Sequence, residues 1–257
     1  MLQLPDPLPD WLQSDMERVD ARIRAQFNSD VVLIRQVVDL ILHGSERVRP
    51  ALVVAAARGL GYAGERQYAL AAAVELIQIS LALHDGVTEA SGGGADAHSE
   101  GALFGNAGNI LLGDLLYTGA FRMIVDLDDM AVMRVLSDAT NRIAEGEVMY
   151  RVARDTGGCD ADHCLDIVRR RRATLFEAGV QCMAMLHGAD AASCSALAAF
   201  GHHVGTAHSL LAEAEDARRF GVDDPLACAA RETEAARAVL SAAEPALAGG
   251  DALNLFV

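Results

Sequence analysis

The side chains that could do chemistry in this sequence gather in its second half. Cys159-Asp160-Ala161-Asp162-His163-Cys164 offers thiol, carboxylate and imidazole donors in one short run, the donor types that hold zinc. No second ligand pair follows at a suitable spacing, so the run reads as ordinary loop. Arg169 to Arg172 are four consecutive arginines, by composition a phosphate or nucleic-acid patch. On a helix, however, four successive side chains splay around the cylinder, which favours solvated or interface charge. His202, His203 and His208 could bind a metal, but His202 faces away from the other two. Glu145 and Glu147 are too close in sequence to share a helix face.

Composition removes several chemistries outright. All 21 basic residues are arginine, which excludes a Walker-type phosphate loop and any lysine Schiff base. A formal charge of −15 argues against general nucleic-acid binding, because phosphate contacts need a basic surface. Five cysteines (Cys159, Cys164, Cys182, Cys194, Cys228) are odd in number and without paired spacing, which suggests a reduced, cytoplasmic setting. Met1 to Asp10 carries prolines and aspartates but no basic stretch, unlike a signal peptide. The apolar stretch from Ala69 to His84 is interrupted by Glu75 and Gln78 and reads as too short to span a bilayer.

The elements that must position these residues are helices. Val31, Ile34, Val37, Val38 and Ile41 recur at three- and four-residue steps, and His43-Gly44 closes that helix. Pro50 suits a first helical turn, opening a helix from Ala51 to about Gly61. Further helical stretches are expected at 64–89, 106–123, 128–154, 160–187, 191–219 and 226–247, with Ser14, Ser29, Asp128 and Asp160 as N-caps. Residues 1–257 therefore read as one all-α domain of antiparallel neighbours. The glycine-rich run Ser91 to Ala97 is expected to move.

Eight strings in order resemble the trans-polyprenyl diphosphate synthases, specifically the octaprenyl (ubiquinone side-chain) branch. They are Asn28 to Ile34, Arg47 to Pro50, Leu83-His84-Asp85, Phe104 to Ala107, Leu112 to Thr118, Ile143 to Val148, Ala173 to Ala178 and Phe200 to Ala207. The resemblance covers about residues 10–220, leaves a divergent tail at 221–257, and implies an isoprenoid-synthase-type helical bundle around a central cavity. Family members continue further at the C-terminus, with a stretch that helps cover the active site.

The same resemblance implies two Asp-rich motifs facing each other across the cavity. Carboxylates at i and i+4 share a helix face, hold Mg²⁺, and so bind the allylic diphosphate. Here the first motif reads Asp85-Gly86-Val87-Thr88-Glu89 and the second Ala212-Glu213-Ala214-Glu215-Asp216, leaving Asp85, Glu89, Glu213 and Asp216 as residual metal ligands. Residual substrate-binding residues are Arg47, Gln78 (a histidine in the family) and Arg171. The family lysine beside Arg47 is Glu46, and reversing one charge at about 4 Å matters, since such a pair is worth roughly 4 kcal/mol at an effective dielectric of 20. The arginine pair that clamps the allylic diphosphate is replaced by Gly94-Ala95. Ser80 and Leu81 lie where the family sets chain length.

The resemblance thus implies a catalytically impaired homologue acting as a non-catalytic or regulatory subunit. Its partner would be an intact long-chain prenyl diphosphate synthase, or a second copy of itself through the helix holding Asn106 to Phe121. Two rivals remain open: an Mg²⁺-dependent prenyltransferase or diphosphate-ionising enzyme with a reduced metal site, and a non-enzymatic isoprenoid-binding protein. None of these readings involves nucleic acid or a transmembrane segment.

Overall fold

The computed structural model describes residues 4–5, 7–44, 46–87, 105–157, 159–219, 221–243 and 247–257. Glu89, Gly94, Ala95 and the whole run from Ser91 to Ala97 fall outside them. Among the described residues there is no strand, as the helical periodicity predicts. The helices are α1 (Asp10–Gln26), α2 (Val32–Gly44), α3 (Val48–Gly59), α4 (Arg66–Asp85), α5 (Gly105–Asp126), α6 (Met130–Thr156), α7 (Ala161–Val168), α8 (Thr174–His187), α9 (Ala191–Ala212), α10 (Ala214–Arg219) and α11 (Pro225–Ala243). A π-helical turn, Arg169–Ala173, joins α7 to α8, and a 3-10 turn, Gly250–Phe256, follows α11.

Burial explains the layout. Helices α3, α4 and α8 are apolar nearly all round, with Leu52, Val53, Leu70, Val74, Ile77, Val180 and Met183 essentially inaccessible. A helix without a polar face belongs inside. They form the centre, with α1, α5, α6 and α9 packed around them and α11 against the outside of α9. By length and composition α4 is apolar enough to cross a membrane, contrary to the shorter span expected from the sequence. Other helices bury 72% of that window, so it is here a core helix.

Local signals placed several boundaries. Asp160 caps α7 by accepting from the His163 amide at 2.9 Å. Ser14 lies inside α1, whose N-cap is Pro9, and Asp129 rather than Asp128 caps α6. Asp128 instead takes a left-handed conformation at φ 52° in the α5–α6 turn. Ser29 accepts from the Val31 amide just ahead of α2.

Two expectations are corrected. The stretch 191–219 is not one helix: it breaks at Glu213, where φ −113° and ψ 34° leave the helical region. The cysteines are not all free thiols, because Cys159 and Cys164 form a disulfide with Cα atoms 6.0 Å apart. The turn capped by Asp160 brings position 159 beside the first turn of α7, a proximity that residue counting does not reveal.

Helices α8 and α9 approach closely beside the site. A Cβ at Gly201 would stand 2.6 Å from the Phe176 carbonyl oxygen, a contact with backbone that cannot rotate away. Gly201→Ala is expected to cost about 1–3 kcal/mol. At roughly 2–4 °C per kcal/mol for a chain of this size, scanning calorimetry should record a fall of several degrees in Tm.

Candidate functional site

The four arginines of the π turn organise the candidate site. Successive side chains do splay, as the sequence suggests, but they splay into protein rather than solvent. Arg169 lies 2.9 Å from Glu232 of α11. Arg170 lies 3.0 Å from Asp166 of α7 and 3.1 Å from Glu145 of α6. Arg171, with its side chain only 5% exposed, is 2.9 Å from Glu147 of α6 and 3.6 Å from Asp85 at the end of α4. Arg172 is 2.8 Å from Glu213 after α9 and 3.8 Å from Asp85. The run is interface charge, as the sequence reading allowed: each arginine meets carboxylates on other helices, with Arg171 buried and Arg169 and Arg170 still about a third exposed. The π turn fits closely under α6 because residue 146 is glycine, whose Cβ would fall 2.8 Å from that of Arg170. Single π turns inside α-helical runs occur often at functional sites.

The structure thus brings Asp85, Glu213 and Arg171 together, with Glu147 and Arg172 beside them. The Arg171 guanidinium also stacks 3.7 Å from the centre of the Tyr150 ring. Burial raises the Tyr150 phenol, and Asp216 adds to that rise. Burial opposes the charge of Arg172, but Glu213, Glu147 and Asp85 outweigh it and hold that group above its ordinary value. The second acidic motif does not lie along one helix face. Glu213 sits in the break after α9 and Asp216 in α10, although both still line one small cavity with Tyr150, Arg171 and Cys164. That cavity holds about 20 Å³, room for about one water.

Among the described residues, which leave out Glu89, the donor set does not gather for the divalent cation that the resemblance implies: no three of His, Cys, Asp or Glu lie closely enough together to hold a metal ion. Asp85 and Glu213 meet guanidinium groups instead. His202, His203 and His208 likewise form no metal cluster. Glu177 is 3.0 Å from the His202 Nδ1, Glu232 is 2.6 Å from that of His203, and Glu46 is 3.3 Å from the His208 Nε2.

The second arginine pair, at the start of α3, divides its roles. Arg47, in a left-handed conformation at φ 58°, pairs with Asp20 and lies 3.6 Å from Glu75. Its guanidinium is committed to α1 and α4. Arg49 is different. It is 9% exposed, its guanidinium lies 4.5 Å from the Phe176 ring centre, and its Nε, like those of Arg47, Arg171 and Arg172, has no hydrogen-bond partner. Burial pushes it down to about 10, with Glu75 opposing that shift and Arg172 reinforcing it. A buried guanidinium is stabilised by any anion that reaches it. The sequence reading passed over Arg49 although it lies in the same Arg47 to Pro50 string. Glu147, set aside with Glu145 because the two do not share a helix face, reaches Arg171 by itself.

Other expected residues fall into place nearby. Gln78 is half-buried on α4, two turns before Asp85 and so on the same face. Ser80 is fully buried and donates to the Gly113 carbonyl of α5 at 2.8 Å. Its hydroxyl serves the α4–α5 contact. Glu46, where the family carries lysine, sits below its ordinary value because His208 hydrogen-bonds to it.

Comparisons with known proteins agree with this layout. A family model described as polyprenyl synthetase matches residues 31–212. The chain is 37% identical over 198 residues to octaprenyl diphosphate synthase of Escherichia coli K12, covering 77% of this chain and 61% of that protein. Against the Haemophilus influenzae octaprenyl diphosphate synthase it is 35% identical over 215 residues, 82% of this chain and 64% of the other. The chain thus spans less than two thirds of the length of these curated relatives. A decaprenyl diphosphate synthase structure from Rhodobacter capsulatus superimposes with a TM-score of 0.80 at 25% identity, over 98% of this chain and 95% of that one. A Caulobacter crescentus polyprenyl synthase complexed with calcium and isoprenyl diphosphate gives 0.80 at 27%, over 95% and 93%. The fold is that of the isoprenoid synthases.

The charge network makes two predictions. Arg171→Ala would strand the partly exposed Glu147 and Asp85 and should cost about 1–3 kcal/mol in urea unfolding, whereas Arg170→Ala, on a more exposed pair, should cost about 1 or less. Burial raises Glu177 and Glu232, but His202 with Arg142, and His203 with Arg169, outweigh it and leave both depressed. A depressed carboxylate stabilises the fold above its unfolded value near 4.5 and loses that contribution as pH falls through its folded value. Stability should therefore drop on acidification below about pH 5, and Glu232→Gln should make that slope shallower in urea titrations at stepped pH.

Proposed function

The chain belongs to the polyprenyl synthetase family, and from that premise we propose that it binds a prenyl diphosphate without condensing it. In this reading it serves as a non-catalytic subunit beside an intact long-chain prenyl diphosphate synthase in the cytoplasm. One observation carries the reading: Arg171 and Arg172 stand against Asp85 and Glu213, the carboxylates that the resemblance assigns to Mg²⁺. A guanidinium neutralises these acids but cannot polarise a leaving diphosphate as a divalent metal does. Glu46 in place of the family lysine weakens the second diphosphate pocket in the same direction.

Arg49 supports retained binding. It is buried, and desolvation outweighs the support its charge receives from Glu75, Glu46 and Glu213; a diphosphate oxygen would satisfy its unpartnered Nε. The exposed apolar side chains Ile110, Leu111 and Val125 of α5, with Val148 and Val152 of α6, support assembly with a second copy or with the intact synthase.

Two measurements test this reading. Incubated with farnesyl diphosphate, labelled isopentenyl diphosphate and Mg²⁺, the protein alone should give no elongated product. Added to the host's intact synthase, it should change the rate or the product length. Elongation by this chain alone would overturn the proposal in favour of a reduced metal site that still works. In calorimetry, Arg49→Met should weaken farnesyl diphosphate binding by about tenfold or more, the worth of a charge-assisted hydrogen bond.

A further inference from the structure

We propose that Cys159 and Cys164 are a redox-active pair whose disulfide holds α7, and through it the arginine turn, in register with the site. The pair lies at the start of the segment that carries every arginine of the network. Helix α7 has eight residues and continues without a break through Arg169 into the π turn. As the first two turns of a longer helical run, α7 is where that run would fray, and its order there comes from what pins it.

Three attachments converge on its N-terminal end. Asp160 caps it from between the two cysteines. Cys164, 3% exposed, belongs to a small apolar cluster with Ala207 and Leu210 of α9, Ala217 of α10, and Val222 and Ala229. The turn after α10 closes directly on the other cysteine: Gly221 has φ 104°, and a Cβ there would be 2.8 Å from the Cys159 carbonyl oxygen. Cys164 also lines the cavity shared by Tyr150, Arg171, Glu213 and Asp216. The disulfide thus joins the loop under α10 to the wall of the candidate site.

The exchange chemistry follows from burial. Cys159 is the more accessible of the pair and Cys164 the less, so an incoming dithiol attacks through its thiolate at the Cys159 sulfur. The Cys159–Cys164 bond breaks and a mixed disulfide forms, with Cys164 leaving as thiolate and taking a proton. The second thiol of the reductant then releases Cys159 as a thiol. The protein gains two electrons and two protons, and the reductant becomes a disulfide. Both cysteines lie within one turn of chain, so reduction loosens α7 locally and leaves the main core untouched. Cys182 is sealed in that core with its thiol pushed up by burial. Cys228, partly buried against the same small cluster, is the competing partner to be excluded.

The test uses the full chain equilibrated in oxidised or reduced dithiothreitol. Alkylation under denaturing conditions with mass spectrometry should find three free thiols in the oxidised protein and five in the reduced one. Peptide mapping should place the bridge between Cys159 and Cys164. Hydrogen exchange over residues 161–173 should quicken by about tenfold or more on reduction, while α3 and α4 stay protected. Cys159→Ser should exchange fast without reductant and ignore it. Five free thiols in the oxidised protein, a bridge to Cys228, or unchanged exchange over 161–173 on reduction would overturn the proposal. None of these readouts depends on prenyl diphosphate binding or turnover.

Discussion

The placement of four consecutive arginine charges inside a helical bundle constrains the rest of this molecule. Burying a guanidinium is costly unless carboxylates meet it, and here they come from α4, α6, α7, α11 and the break after α9. Each pair fixes the position of one helix relative to the π turn. The turn is in effect the point where the helices of the second half are indexed against α4. Gly146 lets α6 come close enough to take part, and Gly201 does the same for α9 against α8.

The network also decides what the site can do. Asp85 and Glu213 face guanidinium groups, and the cavity that Glu213 shares with Arg171, Tyr150 and Asp216 holds about 20 Å³. Charge balance is local and nearly complete around Arg171 and Arg172. It is incomplete around Arg49, where Glu75 and Arg172 act at longer range and burial dominates. Arg49 therefore lies beside a cluster of paired arginines. His208 and Glu46 add a further closed pair at the same edge, so the reversed charge at position 46 has its own partner.

The outer layer repeats this logic with less burial. His202 and His203 turn to opposite neighbours, one to Glu177 and Arg142, the other to Glu232 and Arg169. These pairs tie α9 to α8 and α6 on one side and to α11 and the π turn on the other. The disulfide between Cys159 and Cys164 anchors the start of α7, which these pairs do not reach.

The sequence by itself determined the helical class, most helix boundaries to within a few residues, and the family to which the chain belongs. All of these rest on local regularities: apolar periodicity, capping residues such as Asp160, and ordered strings such as Arg47 to Pro50. It also marked Asp85, Glu213 and Arg171 as neighbours, through resemblance. Only the tertiary structure decided that Arg47 is committed to Asp20 while Arg49 lies buried against Phe176, that Glu147 belongs to the site, and that Glu213 and Asp216 lie on either side of a helix break. Cys159 and Cys164 are close in sequence, yet their pairing too depended on the turn that folds them together. The physical reason is separation along the chain. A side chain's charge is written in the sequence, but whether it is spent depends on which carboxylate, tens of residues away, the packing of helices brings within reach.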